Sequence, residues 1–167
     1  LGHARAEIHG EAQFLPEHIR DEMIDRWIHG LITQVTSQPV DVRIEEWIAD
    51  TYPSLSEEQR RSLRTETRII TANISPDVKS TTPTTIFQRS NALNYAYLDH
   101  IGDIMGRSFE SKFEGNPEIV TLGKSLSEIL DDAASDRELI DRCAEAIQVR
   151  DWFIWLDFED MPASYYA

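Results

Sequence analysis

The chain has 167 residues, 41% of them apolar, and its 30 acids against 16 bases give a formal charge of −14. That length suits one domain with a real core, the apolar share is too high for disorder, and no apolar run approaches the ~18 residues of a membrane span. The acids are unevenly placed: 12 against 4 bases over 1–59, 5 against 8 over 60–112, and 13 against 4 over 113–167. Such a balance disfavours nucleic acid and anionic membranes as partners. Nucleic-acid mimicry needs a dense one-sided acidic stripe, and here Arg residues share the same helices. The single Cys143 allows neither an internal disulfide nor a cysteine zinc knuckle, so it is read as a small core residue in a reducing, cytoplasmic setting.

The pattern is helical almost throughout. Leu1-Gly2-His3 runs into Ala4-Arg5-Ala6-Glu7-Ile8-His9, strong helix formers with no cap ahead of them. The expectation is a single helical domain over 1–167 that is the remainder of a longer chain. Pro16 is placed as a first-turn proline. From there Ile24, Trp27, Ile28, Leu31 and Val35 recur at three and four residues and form one apolar face. Ser37-Gln38-Pro39 is expected to break the run. Val40, Ile44, Trp47 and Ile48 then define a second amphipathic helix, ended by Tyr52-Pro53.

Ser56-Glu57-Glu58-Gln59 reads as a capping box opening a helix to about Ile74. Residues 75–85 are rich in Thr, Ser and Pro and read as an exposed loop. A long helix follows with Ile86, Leu93, Ala96, Tyr97, Ile101, Ile104 and Met105, interrupted at Gly102 or Gly106. Gly115-Asn116-Pro117 reads as stop, cap and first position of a helix to about Ala134. Ser135-Asp136-Arg137-Glu138 is a second capping box, opening the helix that carries Leu139, Ile140, Cys143 and Ile147. The tail from Trp152 through Phe158 is the most apolar segment. No strand pair and no internal repeat is visible. The fold class is all-α, a single-domain bundle of about six or seven helices.

Two short pieces carry a family likeness. Leu1-Gly2-His3 entering a helix resembles the end of His-Glu-Leu-Gly-His, one spelling of the zincin metallopeptidase motif, in which two His one turn apart bind zinc and the Glu is the general base. Glu46-Trp47-Ile48-Ala49-Asp50 resembles the Glu-x-x-Ala-Asp signature of the gluzincin branch. The resemblance implies that His3 and Glu46 are zinc ligands, that Asp50 orients a zinc-bound His from behind, and that the first His and the general base stand upstream of Leu1. It also implies zinc-activated water cleaving a peptide bond in the intact protein, and an inactive chain as it stands. On a helix Glu46 and Asp50 are four apart and share a face, away from the Val40, Ile44, Trp47 and Ile48 stripe. His9, six residues after His3, has the metzincin spacing, but Ala6 stands where that motif needs Gly.

A second reading, from another class, is an acidic helical protein–protein interaction module without metal or catalysis. Its candidate contacts are the basic ridge Arg60, Arg64 and Arg68, with Arg61 beside it, and the aromatic tail with Trp152, Trp155, Phe158, Tyr165 and Tyr166. His100, beside Asp99 in the long helix, is a weak candidate for any role. No phosphate-binding glycine loop and no Gly-x-Ser-x-Gly elbow is present. The partners expected are therefore a peptide or protein substrate, or a protein partner, with no nucleic acid and no membrane.

Overall fold

The computed structural model describes residues 2–132 and 135–156. Among them the backbone forms seven α-helices and no strand: α1 (Gly2–Glu11), α2 (Glu17–Thr51), α3 (Ser56–Ala72), α4 (Pro76–Thr81), α5 (Thr84–Met105), α6 (Pro117–Asp132) and α7 (Asp136–Ala146). Single 3₁₀ turns lie between helices at Ala12–Phe14, Pro53–Leu55 and Glu110–Phe113, and a fourth follows α7 at Arg150–Trp152.

The largest departure from the sequence reading is α2. The expected break at Ser37-Gln38-Pro39 does not occur, and 35 residues run as one helix with Pro39 inside it. A mid-helix proline removes a backbone hydrogen bond and crowds the preceding turn, at a cost of about 3 kcal/mol. Two features offset this. The Pro39 ring is itself buried, in line with Ile24, Ile28, Leu31, Val35 and Val42. A polar network also clamps α2 onto α5 one turn before the proline. The Gln34 amide donates to the Ser90 carbonyl (3.0 Å) and to Asn94 Oδ1 (2.9 Å). The Ser90 hydroxyl donates back to Gln34 (2.7 Å), Gln38 donates to Asn94 (3.3 Å), and Asn94 donates to Asn91 (3.1 Å). Buried amides satisfied in this way fix the register of the two helices.

α5 is the hub, buried on every side from Asn91 through Leu98, as expected of a central helix. Paired residues give the directions of its neighbours. Gln34 with Ser90, Gln38 with Asn94 and Glu46 with His100 make α2 parallel to α5. Gly123 against Tyr95 and Ser127 with Asp99 make α6 parallel to it as well. α1 runs against α5, with Glu11 on Thr85 and Glu7 on Arg89. α3 also runs antiparallel, from Arg60 on the Ile104 carbonyl to the 3.5 Å contact of Asn91 with the Asn73 carbonyl. α7 packs on α2, with Asp136 on Arg43.

For α6 to lie parallel to α5, the chain must return along α5 over residues 106–116. Gly106 makes this possible. It sits at φ 66°, and the Gly106 and Arg107 amides bond back to the Asp103 and Gly102 carbonyls. This is the paired C-terminal capping pattern in which a left-handed residue ends a helix. Gly106 therefore ends α5, as one of the two glycines named from sequence.

Two local expectations are corrected and a third is met. α3 starts at Ser56 with Leu55 at its N-cap and no side-chain cap bond, so the expected Ser56 box does not form there. The stretch read as a loop contains α4, capped by the Ser75 hydroxyl on the Val78 amide. The Ser135 cap does form, at 3.2 Å to the Glu138 amide. Phe158, Tyr165 and Tyr166 lie outside the described residues.

Candidate functional site

The continuous α2 decides where the sequence-predicted metal residues fall. Arg5, two residues after His3, pairs with Asp25 on α2. Glu46 lies 21 residues further along the same helix, about 31 Å at 1.5 Å per residue. His3 lies on α1 and lines an open cleft with Glu7, Arg89, Glu145, Gln148 and Asp151. His3 and Glu46 are therefore not brought together, whereas shared zinc ligation needs bonds of about 2 Å from each. Asp50 is exposed. Among the described residues no group of three His, Cys, Asp or Glu converges as a metal site requires.

Glu46 instead meets His100, only a weak candidate from its sequence context. The buried seam of α2 runs Ile24, Ile28, Leu31, Val35, Pro39 and Val42, at three- and four-residue steps. The next seam position is Glu46. Its Oε1 lies 2.8 Å from Nδ1 of His100 on α5, whose side chain is only 10% exposed. The far side of that ring faces the Ser127 carbonyl at 3.4 Å. One signal could have found this pair: extending the 24–42 seam by four residues, across Pro39, lands on Glu46.

The same phase turns the expected apolar stripe outward. Ile44 is 47% and Trp47 56% exposed, with Val40 and Ile48 half-buried. Tyr52 and Leu55 are exposed beside them, and the Trp47 and Tyr52 rings meet edge to face with centroids 5.3 Å apart. An exposed large apolar patch and a half-exposed carboxylate that continues an apolar seam, Glu46 with 45% of its side chain exposed, are both departures from ordinary packing. Here they lie within one turn of one helix.

This patch lies at an electrostatically distinctive pole. α2, α5 and α6 are parallel, so their C-terminal ends, each carrying a partial negative charge, point the same way. No basic residue occupies the last turn of any of the three. Asp50, Asp103, Asp131 and Asp132 stand in those turns instead, where carboxylates are disfavoured. Arg60 offsets part of this by donating to the Ile104 carbonyl at 3.2 Å. Arg142 does so by pairing with Asp132 at 3.5 Å.

The other singled-out residues divide clearly. Arg60 is engaged with α5, Arg61 pairs with Glu57 at 3.8 Å, and Arg64 and Arg68 are exposed on α3. Trp152 is 2% exposed with the Arg89 guanidinium stacked over it, so it belongs to the core and offers no surface to a partner. Trp155 is half-buried, donating its indole N–H to Asp141 at 2.8 Å. Cys143 is buried, and burial pushes its thiol up to about 12. It is the core residue the sequence suggested.

No family model, no curated protein and no solved structure matches this chain. The class the molecule defines is thus structural: an all-α bundle with an acidic pole and an exposed aromatic patch.

Proposed function

We propose that this chain is an acidic helical interaction module that docks a basic amphipathic segment of a partner protein. The docking face is the end of α2 and the turn after it: Ile44, Trp47, Tyr52 and Leu55. The observation that carries this reading is the outward Trp47–Tyr52 pair, in a molecule that otherwise buries its central helix on all sides. Trp and Tyr are the residues that dominate binding energy at protein interfaces.

Charge selects the kind of partner. Residues 41–58 hold six carboxylates (Asp41, Glu45, Glu46, Asp50, Glu57 and Glu58) and one guanidinium, Arg43. Three helix C-termini add to the same sign. A second copy of this chain, itself at −14, would be repelled. A segment with apolar anchors rimmed by Lys or Arg fits both the patch and its border.

A model amphipathic helix of Leu and Lys tests the reading, with its Leu and Glu counterpart as control. The Leu/Lys peptide should bind saturably and more weakly as salt rises. Trp47→Ala should weaken it about tenfold or more, the loss of one interface anchor. Ile69→Ala, an exposed apolar residue on α3, should change nothing. Equal binding to wild type and Trp47→Ala would sink the proposal.

A further inference from the structure

The most exposed large apolar side chain among the described residues is Ile154, at 77%, and Leu156 beside it is 50% exposed. Both follow the turn at Arg150–Trp152, where the chain becomes extended, with Phe153 at φ −142° and ψ 163°. Side chains of an extended chain alternate between two sides. The Phe153 and Trp155 rings take one side and meet edge to face, 5.9 Å apart. That side faces α7: the Arg137 guanidinium lies 5.3 Å from the centre of the Trp155 ring, and Trp155 donates to Asp141. Ile154 and Leu156 take the other side, towards solvent.

Contacts trace where this segment goes. Arg150 pairs with Asp141 at 2.6 Å, and Trp155 meets Arg137 one turn nearer the start of α7. The segment therefore runs back along α7 towards its N-terminus. There Asp136 pairs with Arg43 of α2 at 2.9 Å. Trp47 stands one turn beyond Arg43 on the same helix. Leu156 and Trp47 thus flank the Arg43–Asp136 pair, a span of about three to four helical turns at ~5.4 Å each.

We infer that the docking surface continues across the Arg43–Asp136 pair to Ile154 and Leu156, and that it takes a basic partner helix with two apolar clusters and a polar middle. The inference rests on the docking reading above and sets the length and pattern of the segment. Length follows from helix physics. Anchors in such recognition are spread over several turns, and isolated helices shorter than about 12 residues are marginal. A surface of three to four turns suits a helix that can hold its shape. The pattern follows from the ion pair, because an apolar residue laid over Arg43 and Asp136 would strip water from both charges. A Gln or Ser there keeps them hydrogen-bonded. The Lys or Arg rim suits both ends, since residues 113–167 hold 13 acids against 4 bases.

The test is fluorescence anisotropy of the whole chain with two labelled Lys-rimmed helices of equal length and charge. One carries Leu clusters at both ends with Gln between them, and the other has Ala in place of one cluster. The two-cluster helix should bind about tenfold tighter. Ile154→Ala and Leu156→Ala, both at exposed positions outside the core, should each weaken it about threefold and leave the one-cluster helix unchanged. Trp47→Ala should weaken both helices, and Ile69→Ala neither. If Trp47→Ala changes neither helix, the docking reading fails and its extension with it. If Trp47→Ala weakens both while Ile154→Ala and Leu156→Ala change neither, the docking reading stands and the extension is overturned. Equal affinity for the two helices would overturn it as well.

Discussion

Gly123 and Gly30 are both helical glycines, yet the same one-carbon change should move stability in opposite directions. A Cβ built on Gly123 of α6 falls 2.6 Å from the Cβ, Cγ and Cδ1 atoms of Tyr95. These are the rigid base of a buried side chain on the central helix, not a flexible tip. Ordinary contact needs roughly 3.5–4.0 Å between carbons, so α5 and α6 must separate by about 1 Å. A gap of that size forfeits a quarter to a half of each contact's attraction, and overpacking of this kind costs about 1–3 kcal/mol. A residual gap beside Tyr95 adds to the cost, and the gain of about 1 kcal/mol from replacing Gly with Ala in a helix subtracts from it. Gly123→Ala should therefore destabilise by about 2 kcal/mol, a fall in Tm of about 4–8 °C for a chain of this size. Gly30 lies inside α2 with nothing within 4 Å of the added carbon. Gly30→Ala should stabilise by up to about 1 kcal/mol. Urea unfolding of both variants reads the difference directly. Equal midpoints, or a stabilised Gly123→Ala, would refute the close α5–α6 approach.

Three further outcomes follow from the same geometry. Ser135→Ala should cost about 1 kcal/mol by removing a formed helix cap, while Ser56→Ala, where no cap bond forms, should stay within about 0.5 kcal/mol; chemical unfolding of the pair separates them. A double-mutant cycle of Glu46→Ala and His100→Ala should show a coupling of about 1 kcal/mol, and strict additivity would mean that the seam pair contributes nothing. Burial raises the Cys143 thiol from 9.0 to about 12, and burial with the nearby Glu66 also raises the Tyr97 hydroxyl. Above pH ~9 the unfolded thiol loses a proton that the folded one keeps, so stability should fall as pH rises from about 9 towards 12. Cys143→Ala should make that fall shallower in alkaline unfolding curves, and the native thiol should resist iodoacetamide until the chain unfolds.

Much of the fold was legible because local signals and tertiary packing agree. The Ser135 cap, the Gly106 stop, the Pro117 start and the apolar periodicity of α5 and α6 are local statements, and the structure keeps them. The reading failed where a local rule was outvoted. Pro39 is a helix breaker on its own terms, but burial of its ring and the Gln34–Ser90–Asn94 clamp carry α2 through it as one helix. Ser56 has the spelling of a cap, but the 3₁₀ turn at Pro53–Leu55 moves the boundary back by one residue.

One misplaced break had consequences for the site. With α2 cut at Pro39, the second half could be phased by its own apolar residues, which put Ile44 and Trp47 inward and freed Glu46 and Asp50 to seek zinc. With α2 continuous, the phase is inherited from Ile24 through Val42. Glu46 then enters the seam against His100, and the aromatic residues face out.

The sequence by itself determined the helical class, the acidic charge, the buried Cys143 and most helix ends, because these depend on residues within a turn or two of one another. Only the tertiary structure decided that three helices lie parallel with their acidic ends at one pole, that Trp152 is core while Trp47 is surface, and that Glu46 meets His100. Those facts depend on which helices touch and in what register, and contacts between residues far apart in the chain leave no periodic trace in it.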